Sequence, residues 1–188
     1  MKLKQLDIVL VTKIYKEHMV IDFPKEELKP LDMILKLIEE NRYEAMGLYD
    51  GDLLTGYVFI VRIDNSYLLD YIAIFPEYRN DGKGSNLLSL LAEHLDDADS
   101  IIVEVENPKY TDDGALADLQ TRRIGFYKRN GCRDTGLRVS CFGAKFIILE
   151  MGANSIESVD KTWELYEAFY RSFLPEDKFI GNVYRILK

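Results

Sequence analysis

Two stretches hold residues whose types and spacing could do chemistry. The first is "FPEYRNDGKGSNLL", residues 75–88, where Arg79-Asn80-Asp81-Gly82-Lys83-Gly84 spells Arg-x-x-Gly-x-Gly ahead of a leucine-rich run. Glycines at 82 and 84 tolerate positive φ and let another group approach the backbone closely. If a helix starts there, its unpaired N–H groups and partial positive charge attract an anion such as a pyrophosphate, and Arg79 and Lys83 can add charge. Two nucleotide motifs fail on spacing. A Walker A loop needs glycine where Glu77 stands and Ser or Thr at Gly84; a dinucleotide fingerprint needs a third glycine at Leu87. A glycine turn that simply enters a helix is the bland alternative.

The second stretch is "SIIVEVEN". Glu104 and Glu106 alternate with Val103 and Val105, so both carboxylates project from one face of a strand. Like-charge repulsion and burial raise the pKa of at least one of such a pair, which suits a base working through water. The structural alternative is that one of them binds Arg122 or Arg123.

The elements that must position these groups are legible in outline. Val11, Ile14, Tyr15, His18 and Met19 recur at helical spacing, as do Ile34, Leu37 and Ile38 after Pro30, with "DFPKEELKP" between the two helices. Asp50-Gly51 between apolar runs predicts a hairpin, and "NS" at 65–66 a second turn, giving three antiparallel strands. Leu87, Leu88, Leu91 and Leu95 make the buried face of a helix from about Gly84. "SIIVEVEN" is then reached by a crossover and should run parallel to the strand ending at Phe75. A helix from about Asp118 to Asn130 ends at Gly131, and "LRVSCFGAKFIILEM" reads as a closing hairpin turning at Gly143. From Ser155 onward, Val159, Trp163, Tyr166, Tyr170 and Phe173 form an aromatic stripe that reads as packing. His18 and His94 sit on or beside apolar helical faces and read as packing or surface residues.

The loop in its setting, a strand before it and a leucine helix after it, resembles the acyl-CoA-binding loop of the GNAT superfamily of N-acetyltransferases. "RRIGFYKRNGC" resembles that family's Tyr-x-x-x-Gly helix end, and "VEVENP…RRIGFYKRNG" with "FPKEELKP" is similar to a group of GNAT proteins from Gram-positive bacteria. The resemblance implies an α+β acyl-CoA N-acyltransferase fold, with a mixed, mostly antiparallel six- to seven-stranded sheet flanked by helices. Residues 1–152 would form the acetyltransferase domain, and 153–188 an extra C-terminal helical extension packed on it.

It also implies acetyl transfer from acetyl-CoA to a primary amine of a small-molecule acceptor, by direct attack in a ternary complex. Backbone groups of Ile72, Ala73 and Ile74, with Arg79, Asn80, Asp81, Gly82, Lys83, Gly84 and Ser85, would hold the CoA. Tyr127 would protonate the departing thiolate, and Asp70 or Glu106 would serve the amine's proton. Phe126, beside Tyr127, reads as core. The pattern departs from the family at Asp81 and Lys83, and at Gln120, Arg123 and Cys132. In this fold the connection between the first two helices walls the acceptor site; its Asp22, Glu26 and Glu27, with Asp112 and Asp113, would favour a cationic amine. A CoA-binding regulatory module without catalysis is the other class of reading.

Composition sets the outer limits. Over 188 residues, 47% are hydrophobic and 30% charged, as in ordinary globular domains. A net charge of −8 and a pI near 4.9 lack the basic footprint of a nucleic-acid binder. Cys132 and Cys141 are too few for a disulfide framework, two isolated histidines give no metal pattern, and no apolar stretch reaches membrane-span length. The expectation is a cytoplasmic protein, monomer or homodimer, with no metal, nucleic-acid or membrane partner.

Overall fold

The computed structural model describes residues 1–25, 27–152 and 156–187. The chain divides into two compact units, Met1–Arg62 with Leu69–Asp97, and Ile63–Leu68 with Ala98–Lys188. Among the described residues there are eight strands. The expected count of six to seven falls short because the two edge strands, Lys2–Gln5 and Val183–Arg185, are too brief to show a periodicity of their own. Among the described residues no helix is long and apolar enough to cross a membrane.

In the first unit β1 (Lys2–Gln5) pairs antiparallel with β2 (Tyr43–Asp50), and β2 with β3 (Leu53–Ile63). The Asp50-Gly51 signal holds: Gly51 takes a φ of +62° in the turn. β4 (Ser66–Ile74) follows, its turn falling at Asp64-Asn65, one residue ahead of the "NS" expectation, with Asp64 at φ +51°. The first helix begins as α1 (Ile8–Ile14), capped by Asp7, whose carboxylate accepts from Leu10 N at 2.8 Å. It runs on through a π turn at Tyr15–Met19 into α2 (Val20–Asp22). Val11, Ile14 and Met19 are the buried positions. An unbroken α-helix would follow Ile14 with position 18; the π turn's extra residue buries Met19 instead and takes His18 out of the core. α3 (Leu31–Glu39) starts after Pro30, and α4 (Lys83–His94) buries Leu87, Leu88 and Leu91.

In the second unit β5 (Ser100–Glu106) pairs antiparallel with β7 (Ala144–Met151), β7 with β6 (Arg133–Cys141), and β6 with β8 (Val183–Arg185). The β6–β7 turn places Phe142 and Gly143 at φ +46° and +88°, two positive values in succession as a tight hairpin demands. α5 (Gly114–Arg129) begins four residues earlier than the periodicity suggests, because Asp113 caps it by accepting from Ala115 N at 2.9 Å and Leu116 N at 3.2 Å.

The C-terminal segment is more than one helix: α6 (Val159–Phe173), α7 (Glu176–Asn182) and then β8. Of the expected aromatic stripe, Tyr166 and Tyr170 are core, joined by Phe169 and Phe179, while Trp163 and Phe173 are partly exposed. Ser155, where the stripe was expected to start, and the boundary at 152/153 touch residues 153–155, outside the described residues.

Candidate active site

In the first unit, β4 delivers Ile72, Ala73 and Ile74 to the end of the sheet. Gly56 of β3 makes the close approach possible, since a Cβ there would lie 2.6 Å from Ala73 O and 2.7 Å from Ile74 Cδ1. Phe75 N donates back to Thr55 O at 3.0 Å, and a 3-10 turn at Pro76–Tyr78 leads into the glycine loop. Asn80 and Gly82 both have positive φ, +67° and +68°. Gly82 is the N-cap of α4, and among the described residues no side-chain hydrogen bond caps the helix. The leading N–H groups are those of Lys83, Gly84 and Ser85, and a Cβ on Gly82 would meet nothing within 4 Å. Backbone N–H groups at a helix start of this kind can attract an anion.

Both cations of the loop are already paired. Lys83 turns inward: its Nζ lies 2.9 Å from Asp50 on the β2 end and 3.4 Å from Asp81. The hydrogen bond to Asp50 leads the causes that hold the ammonium above its ordinary pKa. Asp81, the acid that looked out of place beside a pyrophosphate, is exposed and balanced by Lys83. Arg79 donates from Nε to Ile74 O at 2.8 Å and from Nη2 to Asp22 Oδ1 at 2.9 Å. Tyr57, fully buried, donates to the other oxygen of Asp22 at 2.9 Å, and burial, then the Asp22 charge, pushes its phenol well up. Asp22 is thus a structural carboxylate tying α2 to the loop.

Asp70 is equally committed. Its carboxylate is 4% exposed, accepts from Lys29 Nζ at 2.7 Å and takes the Tyr43 hydroxyl on its second oxygen. Tyr71 adds to the same knot by accepting from Lys29 N and donating to Glu27 O, both at 2.8 Å, while Tyr15 donates to Lys29 O at 3.0 Å. The α2–α3 connection is tied to β4 by Tyr71 and the Lys29–Asp70 ion pair, and to the π turn by Tyr15. Neither Lys29 nor Tyr43 carries a local sequence signal for this; the partners are brought together only by the sheet. Glu26 lies outside the described residues.

In the second unit, Glu106 accepts from Arg123 Nη1, as the structural alternative for that residue proposed. Glu104 accepts from Tyr170 at 2.8 Å and from the buried Tyr166. These two bonds anchor α6 to β5. Tyr127 is buried on α5; burial first, then Cys132 and Glu106, pushes its phenol up, with Arg123 opposing. Among the described residues nothing accepts a hydrogen bond from its hydroxyl. Phe126 packs edge-on against it, ring centroids 5.4 Å apart. Asp113 serves as the α5 cap.

Gln120, two turns before Tyr127, is 7% exposed, and its Oε1 has no partner among the described residues. A buried acceptor left unpaired costs about 1–3 kcal/mol. Gln120→Leu should therefore stabilise the protein; each kcal/mol recovered is worth about 2–4 °C in Tm. A thermal melt that shows a fall would mean the carboxamide is satisfied in solution.

No family model matches the chain, and no curated protein sequence does. Solved structures do. A protein from Bacteroides thetaiotaomicron assigned to the GNAT family of acetyltransferases superposes with a TM-score of 0.71 at 22% identity, covering 92% of this chain and 98% of its own. The fold is the GNAT acyltransferase fold. A variant of spermidine N-acetyltransferase from Vibrio cholerae matches at TM-score 0.60 and 16% identity, over 80% of this chain and 94% of that one. The PaiA N-acetyltransferase from Thermoplasma acidophilum, in complex with coenzyme A, matches at 0.53 and 16%, over 79% and 96%. At these identities the GNAT likeness is one of architecture.

Proposed function

We propose that this chain is a GNAT-type N-acetyltransferase that moves an acetyl group from acetyl-CoA to a primary amine of a small molecule. The observation that carries the reading is the uncapped N-terminus of α4 behind Gly82, directly after the strand that ends at Ile74. With Lys83 and Arg79 paired internally, backbone N–H groups and the helix dipole supply the attraction for a pyrophosphate. The neighbours of the same fold include a structure in complex with coenzyme A and a spermidine acetyltransferase, which supports the donor and the amine class.

In this reading the neutral amine attacks the thioester carbonyl, the new C–N bond forms and the C–S bond breaks. Backbone N–H groups of Ile72–Ile74 stabilise the carbonyl oxygen as charge develops on it. Tyr127 gives its phenolic proton to the departing thiolate, and the proton lost by the amine restores the balance through solvent. Residues 1–152 would hold this machinery, with the segment from 153 onward as its extension. A CoA-binding module without turnover is favoured by one observation: Asp70, Glu104 and Glu106 all have protein partners.

Acetyl-CoA is expected to raise Tm, and Gly84→Glu to abolish that shift. A glutamate in the first turn of α4 suits the helix dipole, so the variant folds while its carboxylate repels the pyrophosphate. No shift for the unsubstituted protein would end both CoA-dependent readings. Thiol release on mixing acetyl-CoA with spermidine, lysine and alanine amide separates enzyme from binder.

A further inference from the structure

The carboxylates read as possible bases, Asp70, Glu104 and Glu106, and Asp22 of the expected acidic wall each have partners within their own chain. Asp22 has Tyr57 and Arg79, Asp70 has Lys29 and Tyr43, Glu104 has Tyr166 and Tyr170, and Glu106 has Arg123. Taking up a proton would neutralise each of them and so weaken the ion pair or hydrogen bonds it makes. One titratable side chain at the end of β4 is not so committed. The π turn at Tyr15–Met19 lays the ring of His18 on that of Phe75, centroids 4.1 Å apart and planes inclined by 25°. Phe75 is the residue after Ile74, and its own ring is buried. His18 is partly exposed, and among the described residues neither of its ring nitrogens has a hydrogen-bond partner.

We propose that His18 accepts the proton of the attacking amine, directly or through one water, in the acetyl transfer read above, and the inference rests on that reading. The step balances. The amine nitrogen forms its bond to the acetyl carbon and loses N–H to a ring nitrogen, the sulfur leaves with the C–S electrons and is protonated, and imidazolium returns its proton to solvent. Imidazole suits the task for a reason the carboxylates lack. Among the described residues no side chain engages its ring nitrogens, so one of them can take the amine's proton without first breaking a hydrogen bond or ion pair. Asp22 lies one turn further along the same helix, tied to Arg79 and to Tyr57 of β3; Phe75 brings no charge; Lys16 and Glu17 flank His18 on the exposed side of its own helix. A π turn at this point accords with the frequency of such turns at functional sites.

The test uses the full chain, acetyl-CoA and the three amines above, followed by thiol release. His18→Phe keeps an aromatic ring on Phe75 and removes only the proton acceptor. It is expected to lower kcat/KM about 100-fold or more, to remove the acidic limb of the pH profile, and to leave the acetyl-CoA thermal shift unchanged. His18→Ala should regain rate when free imidazole is added. An unaltered pH limb in His18→Phe, or no rescue of His18→Ala, would overturn the assignment while leaving acetyl transfer in place. If the unsubstituted protein binds acetyl-CoA but acetylates none of the three amines, the transferase reading and this assignment fall together.

Discussion

Lys29→Met should cost about 3–5 kcal/mol of folding stability, because it strands a buried carboxylate without its cation. Lys29 and Asp70 are 11% and 4% exposed at the side chain, joined at 2.7 Å, and the Tyr43 hydroxyl alone would be left to Asp70. The loss is measurable as a lower denaturation midpoint with an unchanged slope. The companion variant Lys29→Met/Asp70→Leu should recover most of it, since an apolar pair of similar volume removes the charge along with its partner. That pattern is the signature of a structural ion pair. If Asp70 were instead a base kept free for catalysis, Lys29→Met would leave the midpoint where it was, and the commitment of Asp70 to the α2–α3 connection would be wrong.

The second large effect is expected on rate alone. Tyr127→Phe should lower kcat on an accepted amine by about 10²–10⁴-fold, the range spanned by a positioned acid. Stability should be unaffected: nothing described accepts from the hydroxyl, and the edge contact with Phe126 at 5.4 Å survives the change. The sign of the pH effect follows from the direction of the shift. Burial raises the folded phenol above its ordinary value, so the protonated, donating form persists as pH climbs through the usual tyrosine range. The rate should therefore show no falling limb from Tyr127 up to about pH 10. Unchanged kcat in the phenylalanine variant would remove Tyr127 from the reaction. A lowered Tm would show that its hydroxyl holds the fold.

Much of the architecture was legible because it is written locally. The Asp50-Gly51 and Phe142-Gly143 turns, the leucine face of α4 and the apolar runs of β3 and β5 are short-range patterns, and each formed where its spacing placed it. Boundaries moved where a cap decided them, as Asp113 did for α5. Elements too brief for a period, β1 and β8, were invisible. So was the π turn, since Val11, Ile14, Tyr15, His18 and Met19 satisfy an α-helical count. Only packing decides that Met19 enters the core while His18 does not.

By itself the sequence determined the glycine loop: the residues that let α4 open toward an anion lie within six positions, and their conformational freedom is intrinsic. It could not determine which charged side chains remain available, because that depends on partners far along the chain. Asp22 and Arg79 are 57 residues apart, Lys29 and Asp70 are 41, and Tyr166 and Glu104 are 62. Tertiary structure alone brings those pairs within hydrogen-bonding distance. There the cost of burying an unpaired charge makes the pairing close to obligatory. The carboxylates read as possible bases thus have partners far along the chain, while among the described residues the ring nitrogens of His18, read as a packing or surface residue, have none.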